Sequence, residues 1–132
     1  MSDTLQPSSR RYLEMTKYPL IYICGPYRAP TRAGIQLNID VAKRIASLTC
    51  LKGWAPITPH MNTAFMDEIL PSVGDDFWLD IAIEIMRACR AVVLVPGWDR
   101  SSGSLAEIDE ANRLGIPVYT SIETLPHGGD VL

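Results

Sequence analysis

Short uninterrupted apolar runs alternate along this chain with longer stretches of helical period, and that alternation sets the expected fold. Pro19-Leu20-Ile21-Tyr22-Ile23-Cys24 is a β-rich run closed by Gly25-Pro26, which reads as a buried central strand ending in a turn. From Ile35 the pattern changes to Ile35, Ile39, Ala42, Ile45, Ala46 and Thr49, a helical spacing stopped by Gly53. Trp54-Ala55-Pro56-Ile57-Thr58 reads as a second strand whose proline places it at a sheet edge, and Pro59-His60-Met61-Asn62 turns the chain out of it. Residues 61–71 give a short helix and loop rich in bulky side chains. Asp75 or Asp76 is the expected cap of a helix running to about Cys89, with Phe77, Ile81, Ile85 and Ala88 as its apolar stripe. Ala91 to Val95 is the third strand. A helix carrying Glu107 and stopped at Gly115 leads to the fourth, Ile116-Pro117-Val118-Tyr119, and the tail from Thr124 is expected to be irregular. Strands alternating with helices imply right-handed parallel crossovers and helices on both faces of the sheet.

Composition narrows the function classes. A chain of 132 residues with 47% hydrophobic content and no internal repeat fits one globular domain with a core of its own. A net charge of −3 argues against a nucleic-acid polymer or an anionic membrane as the partner and favours a small molecule. Cys24, Cys50 and Cys89 lack CxxC spacing, so neither a disulfide framework nor a zinc site is indicated, and reduced thiols in the cytoplasm are expected. Residues 1–17 are polar without an apolar signal core and read as a flexible N-terminal arm preceding a domain over 18–132. No apolar run approaches the length of a bilayer span.

In a parallel sheet the loops after the strands' carboxyl ends converge on one crevice, which gathers the candidate chemistry. Gly25 allows a ligand to approach the backbone, Tyr27 lies beside it, and Arg28 is suited to bidentate anion binding. Ser101, Ser102 and the N–H of Gly103, at a helix start, are suited to complete an anion pocket. Trp98 is the aromatic expected to meet a flat ligand, whereas Met61, Phe65, Met66, Phe77 and Trp78 read as core. His60 and Asn62 are candidates for pocket lining; no Gly-x-Ser-x-Gly elbow accompanies the histidine, and no metal-ligand spacing is present. In Gly103-Ser104-Leu105-Ala106-Glu107 the carboxylate lies one turn inside the helix, a position suited to a nucleophile. Ser104-x-x-Glu107 is equally a capping-box spacing, Arg28 equally a solvated loop cation and the serines equally caps; both sets of readings stand at this point.

Together the opening Ile21-Tyr22-Ile23-Cys24-Gly25-Pro26-Tyr27-Arg28 and the Gly103-x-x-x-Glu107 element resemble the nucleoside 2-deoxyribosyltransferases and the deoxynucleoside 5′-monophosphate N-glycosidases, over roughly Tyr18 to Tyr119. The resemblance implies a single doubly wound α/β domain, flavodoxin-like or Rossmann-like, with a parallel sheet of four or five strands. It also implies N-glycosidic bond cleavage or deoxyribosyl transfer on a nucleoside or nucleoside 5′-monophosphate, with Glu107 attacking the anomeric carbon and neither cofactor nor metal required. Ser101, six residues before Glu107, and Arg28 fall where the monophosphate hydrolases hold phosphate, which leans toward a nucleotide. The family's helical aspartate falls at Ala82; Asp80, two residues away, or Asp76 is the substitute for protonating the leaving group. A homodimer or higher homo-oligomer is expected, with the apolar segment from Met61 to Trp78 at the contact. Two other readings compete. A lysine-decarboxylase-like phosphoribohydrolase is echoed in part by Pro96-Gly97 and Gly103-Ser104-x-x-Glu107, and a nucleotide-binding module without turnover fits the same fold.

Overall fold

Strand β1 (Leu20–Cys24) is buried from Ile21 to Cys24, as a near-continuous apolar run requires when a strand has helices over both faces. The computed structural model describes residues 17–132, so the arm expected over residues 1–17 lies, apart from Lys17, outside the described residues. Around β1 stand β2 (Ala55–Ile57), β3 (Ala91–Leu94) and β4 (Val118–Tyr119), in an all-parallel sheet of order β2-β1-β3-β4. Five α-helical segments connect them, α1 (Arg32–Leu51), the single turns α2 (Pro59–Asn62) and α3 (Met66–Ile69), α4 (Asp75–Met86) and α5 (Ser102–Leu114), with a 3-10 turn at Trp98–Arg100 before α5. From β1 the chain winds to one edge, and from β3 to the other. This is the expected doubly wound α/β fold, and its switch point lies between β1 and β3.

The strand period of two divides the core into halves. Ile21, Ile23, Ala91, Val93 and Val95 face α1, where Ala42, Ile45 and Ala46 meet them together with Trp54 and Leu125. Tyr22, Cys24, Val92 and Leu94 face the opposite layer, against Met86, Cys89 and Ala111. Helix α1 begins where Thr31 accepts a hydrogen bond from the Gly34 N–H at 3.0 Å. It ends at Leu51 with Lys52 as its cap, and Gly53 with φ 80° turns the chain into β2. Edge strand β2 carries Pro56, paired in register with Ile21, in the one kind of strand that tolerates a missing N–H.

Three local expectations are corrected. Gly74, rather than an aspartate, caps α4, while Asp75 and Asp76 occupy its first turn near the positive helix end. The side of α4 that packs carries Ala82, Ile85 and Met86, with Cys89 just beyond the helix, whereas Phe77 is 48% exposed. Phe77, Trp78, Leu79, Ile81, Ala82, Ile83, Ile85 and Met86 make this helix apolar nearly all round, so its period does not choose a face. The tail, expected to be irregular, instead ends in a 3-10 turn over Gly128–Val131 and is docked. Trp54 Nε1 donates to the Pro126 carbonyl at 2.8 Å, Lys52 Nζ donates to the Ile122 and Leu125 carbonyls at 2.7 Å each, and Leu125 is buried. Among the described residues no helix is long and apolar enough to cross a membrane.

Candidate functional site

A cavity of about 510 Å³ opens beyond the carboxyl ends of β1 and β3, where such sheets bind ligands. At its Gly25 side the two strand ends approach each other closely. The Val95 N–H donates to the Cys24 carbonyl at 2.8 Å, and a Cβ on Gly25 would sit 2.5 Å from Val95 Cβ. Gly25 lines the cavity as expected, but the group that uses its missing side chain is Val95. Gly97, at φ 95°, then turns the chain from β3 toward the start of α5.

Glu107 lies on the buried stripe of α5, Ser104, Glu107 and Ala111, where the helical period calls for apolar residues. That stripe packs against the face of β1 carrying Tyr22 and Cys24. The Tyr22 hydroxyl donates to Glu107 Oε2, and the Cys24 thiol lies 3.6 Å from Oε1 and 3.7 Å from the Ser104 carbonyl. Burial pushes the Glu107 carboxyl up to about 7, opposed by the hydrogen bonds from Tyr22 and Cys24. Burial first and the Glu107 charge second hold the Tyr22 phenol and the Cys24 thiol well above their ordinary values, so both stay protonated donors. The capping-box alternative is overturned. Ser101 caps α5 instead, accepting from the Ser104 N–H at 3.1 Å, and Ser104 is buried within the first turn. Glu107 therefore faces the cavity with both oxygens held from β1.

His60, Tyr27, Arg28, Ser101 and Gly103 join Gly25 and Glu107 on the cavity wall. His60 Nε2 is 2.8 Å from the Gly25 carbonyl, which only accepts, so Nε2 carries the proton. Burial lowers the pKa of this histidine, and its Nδ1 has no hydrogen-bond partner among the described residues. Tyr27 acts as a tie: its carbonyl accepts from Asn38 of α1 at 3.0 Å, and its hydroxyl accepts from the Phe65 N–H at 2.7 Å. Phe65 has φ 58°, the left-handed region that favours glycine. Arg28 is held by Asp67 at 2.9 Å and Asp75 at 2.5 Å.

Three expected site residues are not brought to the cavity. Asp80 is exposed, because Trp78, Leu79 and Ala82 form the cavity side of α4 and a helix turns a residue two positions from Ala82 to the far side. Asn62 is exposed at the end of α2, where Thr63 and Asp67 line the wall instead. Trp98 packs against the half of the core that contains Tyr22 and Met86. Trp78, expected in the core, lines the cavity, and its buried indole N–H has no partner among the described residues.

A family model described as a domain of unknown function, DUF7768, matches residues 19–121, from the start of β1 to just beyond β4. The chain belongs to the DUF7768 family. A comparison with curated proteins matches none. The matched span of this DUF7768 domain contains every residue that lines the cavity. Reading the sequence missed Tyr22 and Cys24 as partners of Glu107, and Asp67, Asp75 and Arg100 as parts of the wall. Tyr22 did leave a signal. A phenol in an otherwise aliphatic run buried on both faces must find an acceptor inside the protein.

The raised pKa of Glu107 has a thermodynamic consequence. Between about pH 4.5 and 7 the folded chain keeps a proton that the unfolded chain has released, so stability present at low pH is lost as pH rises through that window. The loss is on the order of 3 kcal/mol. His60 works in the opposite sense, since a lowered histidine pKa favours the folded state as pH rises. Denaturant unfolding from about pH 5 to about pH 8 therefore isolates Glu107 only as the difference between the parent and Glu107→Gln. That difference is expected to shift toward the glutamine variant as pH rises; parallel profiles would contradict the assignment.

Proposed function

We propose that the chain cleaves the N-glycosidic bond of a nucleoside or nucleoside 5′-monophosphate, or transfers its sugar, with Glu107 as nucleophile. The observation that carries the reading is a carboxyl on the wall of a switch-point cavity whose ionisation burial brings to about 7. Its similarity in position to the nucleophile of the nucleoside 2-deoxyribosyltransferases supports the same role. Oε2 is held by a phenol and Oε1 faces only a thiol, a weak donor, so Oε1 is the freer atom for attack. A C–O bond forms from Oε1 to the anomeric carbon as the C–N bond breaks, and the base departs with the electron pair and takes up a proton. Water then adds at the anomeric carbon, loses a proton and returns the carboxylate; transfer replaces that water with the nitrogen of a second base. Asp76, on the cavity wall, takes the place of Asp80, which lies outside the cavity, as the carboxyl nearest in role to the leaving-group acid.

A binding module without turnover is the second reading. Ala82 favours it, because this residue faces the cavity where the resembled enzymes carry an aspartate. One assay separates the two: nucleosides and their 5′-monophosphates are incubated with the parent and with Glu107→Gln, and free base is measured. Glycosidase chemistry gives release that rises with pH through about 7 as Glu107 ionises, and falls by at least about a thousand-fold in the variant. Ligand-induced thermal stabilisation with no released base from any compound supports the module instead.

We also propose a homodimer or higher homo-oligomer. Phe77 on α4 and Met61 and Met66 on the segment before it are exposed, and so is Leu105 on α5. Light scattering is expected to return at least twice the monomer mass. A monomer with full base release would show that these side chains serve no assembly.

A further inference from the structure

Among the described residues Arg28 and Arg100 are the two arginines on the cavity wall, and Arg28, the one carried by the first loop, has both of its terminal nitrogens engaged. Nη1 meets Asp67 of α3 at 2.9 Å and Nη2 meets Asp75 of α4 at 2.5 Å, so two elements far apart in sequence from Arg28 converge on one guanidinium. Both carboxylates line the cavity, as does Asp76 beside them. Bidentate recognition of phosphate needs a pair of N–H groups from the same fork. A phosphate that takes the end-on fork of Nη1 and Nη2 displaces a carboxylate from Arg28, and one that takes the remaining N–H groups still meets one cation and two anions, whose net charge is already negative. Arg32 offers no replacement, since Glu68 of α3 pairs with it and its guanidinium lies 3.9 Å over the Phe65 ring.

We infer that Asp67 and Asp75 are specificity-determining residues, which compete with phosphate for Arg28 and so weaken the hold of the first loop on a 5′-phosphate. The inference rests on the nucleoside or nucleotide reading of the cavity and works against the lean toward nucleotides that Arg28 suggests by itself. The competition is moderate in size, because the Arg28 side chain is 52% exposed and that of Asp75 83% exposed, and solvent screens both. An effect of about tenfold is the expected scale.

Titration of inorganic phosphate by calorimetry tests this without using turnover. The parent is compared with Arg28→Gln, with the pair Asp67→Asn and Asp75→Asn, and with all three together. Releasing Arg28 from both carboxylates is expected to tighten phosphate by about tenfold, Arg28→Gln to change the parent less than about twofold, and the triple variant to lose the gain. Should the paired variant lose its native circular dichroism, each single asparagine variant is expected to give part of the gain. Phosphate affinity unmoved by releasing Arg28, or weakened by about tenfold in the Arg28→Gln parent, overturns the competition. Since phosphate binding is read directly, the competition stands or falls on these titrations whether or not the chain releases base from any nucleoside.

Discussion

A strand buried on both faces leaves a polar atom no route to water, and Tyr22 carries a hydroxyl into such a strand at the middle of the sheet. Its partner is the Glu107 carboxyl on the buried stripe of α5. An unpaired buried phenol or carboxyl each costs on the order of 1–3 kcal/mol, more if charged, so the two groups fix where α5 sits against β1. The rest of the site follows from that contact. With α5 held there, its start at Ser101 reaches the same opening as Gly25, His60 and the cavity face of α4.

Capping and chemistry are divided between two side chains that a sequence pattern alone confuses. Ser101 supplies the oxygen that satisfies the Ser104 N–H, which leaves Glu107 free of any duty to its own helix. Two further groups on the wall are unpartnered among the described residues: the Nδ1 lone pair of His60 and the indole N–H of Trp78. One accepts and the other donates. Buried polar groups without partners concentrate where a protein meets a ligand, and both lie on the wall that also holds the buried carboxyl.

The fold is legible in the sequence because its signals are local. Alternation of apolar runs and helical spacing locates the four strands, Pro56 places β2 at the edge, and Gly53 and Gly115 mark helix ends through their left-handed conformations. The position of Glu107 at a helix start after β3 is legible for the same reason. Orientation and pairing are not. The nearly all-apolar α4 hides which side it buries, so its pattern draws Asp80 to the cavity when it lies outside and Trp78 to the core when it lines the wall. Arg28 meets Asp67 and Asp75 at separations of 39 and 47 residues, and no spacing rule reaches so far. Trp98 reads as a loop aromatic, but the turn at Gly97 returns it to the core.

The most direct measurement is the carboxyl titration of Glu107 by carbon NMR, in the parent and in Tyr22→Phe. A midpoint of about 7 is expected in the parent. Loss of the phenol removes a donor that favours the ionised carboxylate, so the midpoint is expected to rise further in the phenylalanine variant. A parent midpoint near 4.5, or one indifferent to Tyr22→Phe, would contradict a buried Glu107 held by β1.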